Sequence, residues 1–400
     1  MTNQSTVLRL KKREERRLRS GHLWVYSNEV DVKATPLTAF TPGQQVRIES
    51  AQGKFLGQAY VNPNTLIAAR LFALQPNIQL DAMLLKKRVE KALALRELAF
   101  DKPFYRLVYG ESDFLPGLVV DRFADILSVQ INTAGMNAIT EDIITVLQEV
   151  IQPASILLRN DSPAREQEQL DTYVKAAVGN VPELVEVEEN GTRFVVPLAS
   201  GQKTGWYYDH RMNRLRLMHY ARGKRLLDMF SYVGAWGIQA LNAGASEVVC
   251  SDASTSFLEQ AGDNAERNGH VERFSALAGD AFDVLKALRD DGEKFDIVVL
   301  DPPAFIKRRK DYKEGAQAYQ RINRLALQVI NDGGLLVSAS CSYHMPAAQL
   351  LDEIRKAGQK QGDFIQVLEQ GHQGPDHPIH PAMRETEYLK SWMCRVNSNI

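Results

Sequence analysis

Cysteine is scarce. The 400 residues hold three, Cys250, Cys341 and Cys394, with no CxxC spacing. A count this sparse and odd excludes a disulfide scaffold and a cysteine-based zinc site. His372, His377 and His380 lie close together, but Pro378 and Pro381 make a rigid turn the plainer reading, so no metal is expected. No apolar run reaches the roughly 18 residues of a membrane span. The opening MTNQSTVLRLKKREERR lacks the apolar stretch of a signal peptide. Together these absences lead us to expect a soluble, cytoplasmic protein with no membrane partner. The GxGxxG dinucleotide fingerprint is missing too, which disfavours a nicotinamide dehydrogenase.

Net charge is nearly absent: 48 Lys and Arg face 49 Asp and Glu, a balance of −1. Balance does not mean even spread. Arg9, Lys11, Lys12, Arg13, Arg16, Arg17 and Arg19 form one basic run against Glu14 and Glu15. Lys307, Arg308, Arg309, Lys310, Lys313, Arg321 and Arg324 form another against Asp311 and Glu314. Alone, each reads as a solvated face.

What is present is a change of texture along the chain. Up to about residue 80, GQQVRIES, GKFLGQAYV and TLIAARLF alternate apolar and polar residues between Gly, Pro and Asn, so they read as strands. LDAMLLKKRVEKALALRELA, with Asp81 in its first turn, reads as a helix able to join two domains. Strands, the helix MNAITEDIITVLQEVI and a hairpin turning at Asn190-Gly191 then predict a small α+β domain. From about Ser200, strands and helices alternate, including a helix AYQRINRLALQVINDGG closed by glycine. Such alternation predicts a doubly wound, mostly parallel sheet whose ligands sit beyond the strands' carboxyl ends.

The first strand of that last region ends in Asp228 and the turn Met229-Phe230-Ser231-Tyr232-Val233-Gly234, a looser turn that suits a ligand without phosphates. Asp252 ends the next strand, placed to accept from a ribose diol. Asp280-Ala281-Phe282 follows the third, with a carboxylate for an adenine amino group and Phe282 beside the ring. Each acid alone is as easily a helix cap or turn residue; three in register on successive strands fit S-adenosylmethionine.

The fourth strand runs into Asp301-Pro302-Pro303-Ala304-Phe305, where two prolines fix an extended turn. A flipped base would hydrogen-bond to Asp301 and pack on Phe305. The fifth strand runs into Ser340-Cys341-Ser342. A lone cysteine is commonly a small buried hydrophobe, which suits Cys250 and Cys394; Cys341 stands where substrate should be. Thiolate attack on carbon 6 of cytosine makes carbon 5 nucleophilic. Asp301, protonated or sharing a proton with N3, would favour that addition. No residue is assigned as the base that removes the carbon 5 proton. His344, three residues on, is a candidate to tune the thiol or a plain surface residue.

These residues, with GHLWVYSNEV, GESDFLPGLVVDR, GQKTGWYYDHR, LLDMFSYVGAWG, DPPAF, SCS, and DHP with EYLK, resemble the RlmI-type 23S ribosomal RNA cytosine-5 methyltransferases over essentially the full length. The resemblance implies an α/β architecture in three parts. They are a β-rich PUA barrel over 1–80, a linker helix and central small α+β domain over 81–199, and a Rossmann-like class I methyltransferase domain over 200–400. It implies Cys341 as nucleophile, Asp301 on the cytosine, and S-adenosylmethionine held by Gln202, Lys203 and Thr204 together with Asp228, Phe230, Tyr232, Gly234, Asp252, Asp280 and Ala281. The basic runs then become RNA contacts, through Arg13, Arg16, Arg17 and Arg19 on the PUA rim and Lys307, Arg308 and Arg309 after Phe305.

The implied partner is 23S ribosomal RNA, naked or in a large-subunit assembly intermediate, with a homodimer admitted. The chain departs from the family at Trp206 and Trp236, where Phe is usual, at His210 for Gln, and at Val233 for Thr. It also lacks the second cysteine that another RNA cytosine-5 family carries in the Pro-Pro turn. Two rivals stay open: an RNA guanine or adenine N-methyltransferase on the same fold, and an inactive RNA-binding ribosome assembly factor.

Overall fold

The structure, a computed structural model, describes residues 6–398. The first five residues, part of the opening read above for a leader, lie outside that range. The chain divides into two compact units. One comprises Met1–Val185, Pro197–Trp206 and Pro375–Thr386; the other comprises Glu186–Val196, Tyr207–Gly374 and Glu387–Ile400.

The first unit opens with a five-stranded sheet that runs, in spatial order, Val7–Arg9, Gln45–Glu49, Phe55–Val61, Ile67–Ala73, Trp24–Tyr26. Alternate residues point inward, so Leu8, Val25, Val46, Ile48, Val61 and Leu71 close a core of their own. A second five-stranded sheet follows, built on Phe104–Tyr109, Leu118–Phe123, Ile126–Ile131, Ser155–Asn160 and Tyr173–Val178. The helix Ala82–Ala99 is capped by the Asp81 carboxylate, which accepts from Leu84 N at 2.9 Å. It is more than a joint: Leu85, Val89, Ala92 and Arg96 are buried.

The second unit holds the alternating region. Its strands are β1 (Arg225–Met229), β2 (Glu247–Asp252), β3 (Phe274–Ala278), β4 (Phe295–Leu300), β5 (Ile330–Ser340), β6 (Phe364–His372) and β7 (Lys390–Asn397), and its helices α1 (Ala235–Asn242), α2 (Thr255–Arg267), α3 (Ala281–Asp290), α4 (Tyr312–Leu327) and α5 (Ala347–Gln361). The sheet order is β3-β2-β1-β4-β5-β7-β6. β1 to β5 are parallel, and β7 is antiparallel to both neighbours. Successive side chains face opposite sides. Leu227, Met229 and Val249 join a core with α3, α4 and α5. Leu226, Val248 and Cys250 join another with α1 and α2. The order reverses between β1 and β4, which makes the carboxyl edge there the expected ligand crevice.

Two details differ from expectation. The helix read through Asn331-Asp332-Gly333-Gly334 ends at Leu327, and those four residues belong to β5. Ile330 already pairs with Phe295, and the left-handed Gly333 (φ 74°) lies in the stretch where the register shifts. The Asn190-Gly191 turn forms as expected, both residues left-handed (φ 51° and 76°). However, its strands Leu184–Glu189 and Thr192–Pro197 form a sheet of two, and Glu186–Val196 groups with the second unit. The reason is a buried anchor. Arg214 donates to both oxygens of Glu189 at 2.6 and 3.0 Å, and Gln239 donates to the same carboxylate at 2.9 Å. Arg214→Met leaves that carboxylate short of its main charge partner. It should cost about 3 kcal/mol of stability, read as a lowered urea midpoint by circular dichroism.

Candidate active site

The crevice at the end of β1 and β4 is built from strained and largely buried groups. Asp228 is completely buried. Its Oδ2 accepts from Gly237 N at 3.0 Å, which ties the strand to the first turn of α1. Gly237 is required there, because a Cβ would sit 2.6 Å from Val248 Cγ1 and 2.9 Å from Cys250 Sγ. Burial pushes the Asp228 carboxyl up to about 8. Its Oδ1 has no hydrogen-bond partner, which is an opening for a donor or cation from outside the chain. The turn that follows is left-handed at Phe230 (φ 61°), Tyr232 (φ 51°) and Gly234 (φ 84°), a conformation that costs non-glycine residues free energy and marks a functional turn. The Tyr232 ring packs edge-on against Tyr207 and Phe257, at 5.7 and 4.7 Å.

Asp252 ends β2 half-buried and accepts from Tyr232 N and Ser254 N, both at 3.0 Å. A carboxylate has about four acceptor positions, so two stay available for a diol. Asp280 is exposed and caps α3, accepting from Phe282 N at 2.9 Å. The plain cap reading therefore holds for its Oδ1, while Ala281 opens the helix as a buried residue.

Asp301 lies just beyond β4 with about 20% of its side chain exposed. Trp236 Nε1 donates to Oδ2 at 3.1 Å, and His210 Nε2 stands 3.2 Å from Oδ1. His210 is itself held through Asn213 at 3.2 Å and packs 5.2 Å from the Trp236 ring. Burial alone would raise the Asp301 carboxyl, but His210 and Trp236 outweigh it and keep it below the usual carboxylate range. Asp301 therefore stands as a carboxylate in the free protein. In the sequence, His210 and Trp236 stand out only as departures from a family pattern.

Cys341 lies just beyond β5, half-buried, with Sγ 4.0 Å from the Pro302 carbonyl. The flanking serines hold it. Ser340 Oγ bonds the Tyr319 hydroxyl at 2.8 Å, that hydroxyl meets Ser342 Oγ at 2.9 Å, and Ile306 N donates to Ser342 Oγ at 3.2 Å. One hydroxyl thus joins the Pro-Pro turn to the cysteine turn. The Phe305 ring leans on Tyr319 at 4.8 Å and faces Phe282 at 6.2 Å. Cys250 and Cys394 are fully buried, as expected. The His344 ring packs against Tyr343.

Other sequence candidates divide. Lys307, Arg308 and Arg309 are exposed, with Arg308 on Asp311 at 3.1 Å. Gln202, Lys203 and Thr204 belong to the first unit. The Thr204 side chain is buried there, its hydroxyl bonded to the Asp121 carboxylate, so it serves as an internal anchor. Arg13, Arg16 and Arg19 are exposed, and Arg19 is 3.8 Å from Glu15. Arg17 is committed internally: it bonds Glu29 at 2.7 Å and the Trp24 carbonyl at 3.1 Å, and lies 4.4 Å over the Tyr26 ring. About a third of its side chain stays exposed. Among the described residues no His/Cys/Asp/Glu group could hold a metal, and no helix is long and apolar enough to cross a membrane.

Comparison with known proteins accounts for this arrangement. The S-adenosylmethionine-dependent methyltransferase family matches residues 165–388, and a PUA-like domain matches residues 8–74. The ribosomal RNA large subunit methyltransferase I of Serratia proteamaculans is 34% identical over 393 residues, covering 97% of this chain and 98% of the relative. The protein of that name from Escherichia coli strain K12 is 34% identical over 397 residues, covering 98% and 100%. The chain belongs to the ribosomal RNA large subunit methyltransferase I family.

Its cofactor is S-adenosylmethionine. The unpaired Asp228 oxygen, the preset left-handed turn and the remaining acceptor capacity of Asp252 fit that group. A Streptococcus mutans structure described as a SAM-dependent methyltransferase shares the fold of this family member, with a TM-score of 0.82 at 22% identity, covering 98% of this chain and 100% of that one. A crystal structure of a chain complexed with SAH does so with a TM-score of 0.84 at 22% identity and the same coverage.

Proposed function

We propose that the protein methylates carbon 5 of a cytosine in 23S ribosomal RNA through a covalent bond to Cys341. The observation that carries this is the placement of a thiol and a carboxylate at the ends of adjacent strands β5 and β4, fastened to one another through Ser342, at the edge where the cofactor turn also lies. The Cys341 thiolate forms an Sγ–C6 bond, and the C5–C6 π pair moves to carbon 5. Carbon 5 takes the methyl group, which S-adenosylmethionine would supply as an electrophile, the broken S–C pair staying on the cofactor sulfur as a neutral thioether. A base then removes the carbon 5 proton, the C–H pair restores the double bond, and Sγ leaves as thiolate.

Asp301, ionised, accepts from the exocyclic amino group of the flipped base, and Phe305 offers it a ring face. Asp228, Phe230, Tyr232, Gly234, Asp252, Asp280 and Ala281 surround the cofactor. Exposed Arg13, Arg16, Arg19, Lys307, Arg308 and Arg309 hold RNA phosphates. The substrate is naked RNA or an assembly intermediate of the large subunit.

The deciding experiment is mass spectrometry of ribosomal RNA from cells with and without the protein. Loss of a 5-methylcytosine from the large-subunit RNA is expected. Loss of a methylated guanine or adenine instead would favour the N-methyltransferase rival, and no loss at all the inactive one.

Asp228 carries a separate prediction. Its carboxyl, up at about 8, is mostly neutral at pH 7. A cationic ligand beside it lowers it, so cofactor binding should release a proton and tighten as pH rises from about 6 to 8. Calorimetry in two buffers of different ionisation heat reads this release, and Asp228→Asn should remove it. Binding with no proton release in the parent would refute the placement.

A further inference from the structure

Lys390 is buried, 7% exposed, and the steps above give it no task. It opens β7 opposite Ser340, the residue before Cys341. Its Nζ donates to the Ser342 carbonyl at 2.6 Å and to the Tyr388 carbonyl at 2.7 Å. The ammonium is thus fastened to the peptide directly after Cys341. A buried lysine is costly. Two neutral carbonyls return only part of that cost; the negative charge that supports the ammonium comes from Cys341 first and Glu387 second.

We propose that the Lys390 ammonium is the positioning charge that holds Cys341 as a thiolate. Four segments surround the pair, and their titratable groups sort cleanly. Glu387 lies on the segment of Lys390, Tyr319 on α4, Tyr207 ahead of the helix Arg211–Met218, and Asp301 beyond β4. Burial pushes both phenols up, Tyr319 to about 12, so they stay neutral at physiological pH. Asp301 and Glu387 are anionic types. Lys390 is the cation of that set. Burial lowers it to about 8, and the Cys341 charge pulls the other way, the mutual support expected of a thiolate–ammonium pair. The cysteine proton goes to solvent, since Lys390 keeps its own.

The inference deepens the proposed reaction, and its catalytic meaning rests on Cys341 as nucleophile. Its test does not. The intact protein, without RNA or cofactor, is alkylated with iodoacetamide across a pH series, and the Cys341 peptide is quantified by mass spectrometry. The parent midpoint is expected clearly below the ordinary thiol value of about 8.5. K390Q, which keeps a donor but no charge, should raise the midpoint by about one unit, roughly a tenfold slower alkylation at pH 7. K390R should stay near the parent.

Three results would overturn the proposal. They are a parent midpoint at or above the ordinary value, a K390Q midpoint equal to the parent's, and a K390R shift as large as that of K390Q, which would make the role structural. If K390Q does not fold, the parent and K390R midpoints decide. Failure of the cytosine-5 reading would show separately, as unchanged methylation by a variant lacking Cys341.

Discussion

Cys341→Ala should abolish methyl transfer to ribosomal RNA, a loss on the order of 10⁴-fold or more, because no second group at this edge can form the bond to carbon 6. The proposed cofactor residues lie on other turns, after β1, β2 and β3, so affinity for S-adenosylmethionine should be unchanged by calorimetry. The serines that hold the turn also remain: Ser340 and Ser342 bond Tyr319 through their hydroxyls, so the fold has no reason to give way. RNA carrying 5-fluorocytosine should form a stable adduct with the parent. Fluorine cannot leave carbon 5 as a proton does, so the Sγ–C6 bond has no exit. The adduct is read as a slow band in denaturing gels and should vanish in Cys341→Ala. Full activity of the alanine variant would sink the covalent route and favour methylation on nitrogen.

Asp301→Asn should lower kcat/KM by about 10²–10³-fold, the range lost when a charged partner of the reacting group is removed. The more informative change is His210→Ala. Asp301 is held below the ordinary range because His210 and Trp236 outweigh burial. A depressed carboxyl contributes its stabilisation above its unfolded value and loses it as pH falls through the folded one. In the parent that loss lies below about pH 4. Without His210 the burial penalty is less opposed, the carboxyl rises, and the acidic limb of the pH–rate profile should move toward neutrality. The variant should therefore approach parent activity in mild alkali and lose it at a higher pH than the parent does. A profile merely scaled down at every pH would mean that His210 acts by shape alone. Trp236→Phe removes one donor and should move the limb in the same direction.

Much of this was legible in the sequence. Alternating strands and helices are written in local periodicity, so the parallel sheet and the strand ends carrying Asp228, Asp252, Asp301 and Cys341 could be read directly. What could not be read was which side chains meet across the sheet. His210 lies 91 residues before Asp301 in the chain and Lys390 48 after Ser342; only the strand order brings each pair together. The signal existed, since Trp236 and His210 broke a family pattern together and EYLK stood among the matching segments. Spacing alone cannot say what an odd residue touches. Arg17 was illegible for the opposite reason. A run of basic residues looks uniform in sequence, yet the fold turned this one inward onto Glu29 and Tyr26. The helix read through Asn331–Gly334 failed because pairing with β4 outweighed local preference.

The turn from Phe230 to Gly234 holds non-glycine residues in left-handed geometry, each costing of order 1–3 kcal/mol. That expense falls during folding, long before any ligand arrives. A loop already set in its working shape surrenders little freedom when a ligand docks, so affinity need not be spent on ordering it. The debt appears instead as lost heat resistance. A variant that relaxed this turn would be expected to outlast the parent on warming and to bind less well, which makes the crevice a place where durability has been exchanged for readiness.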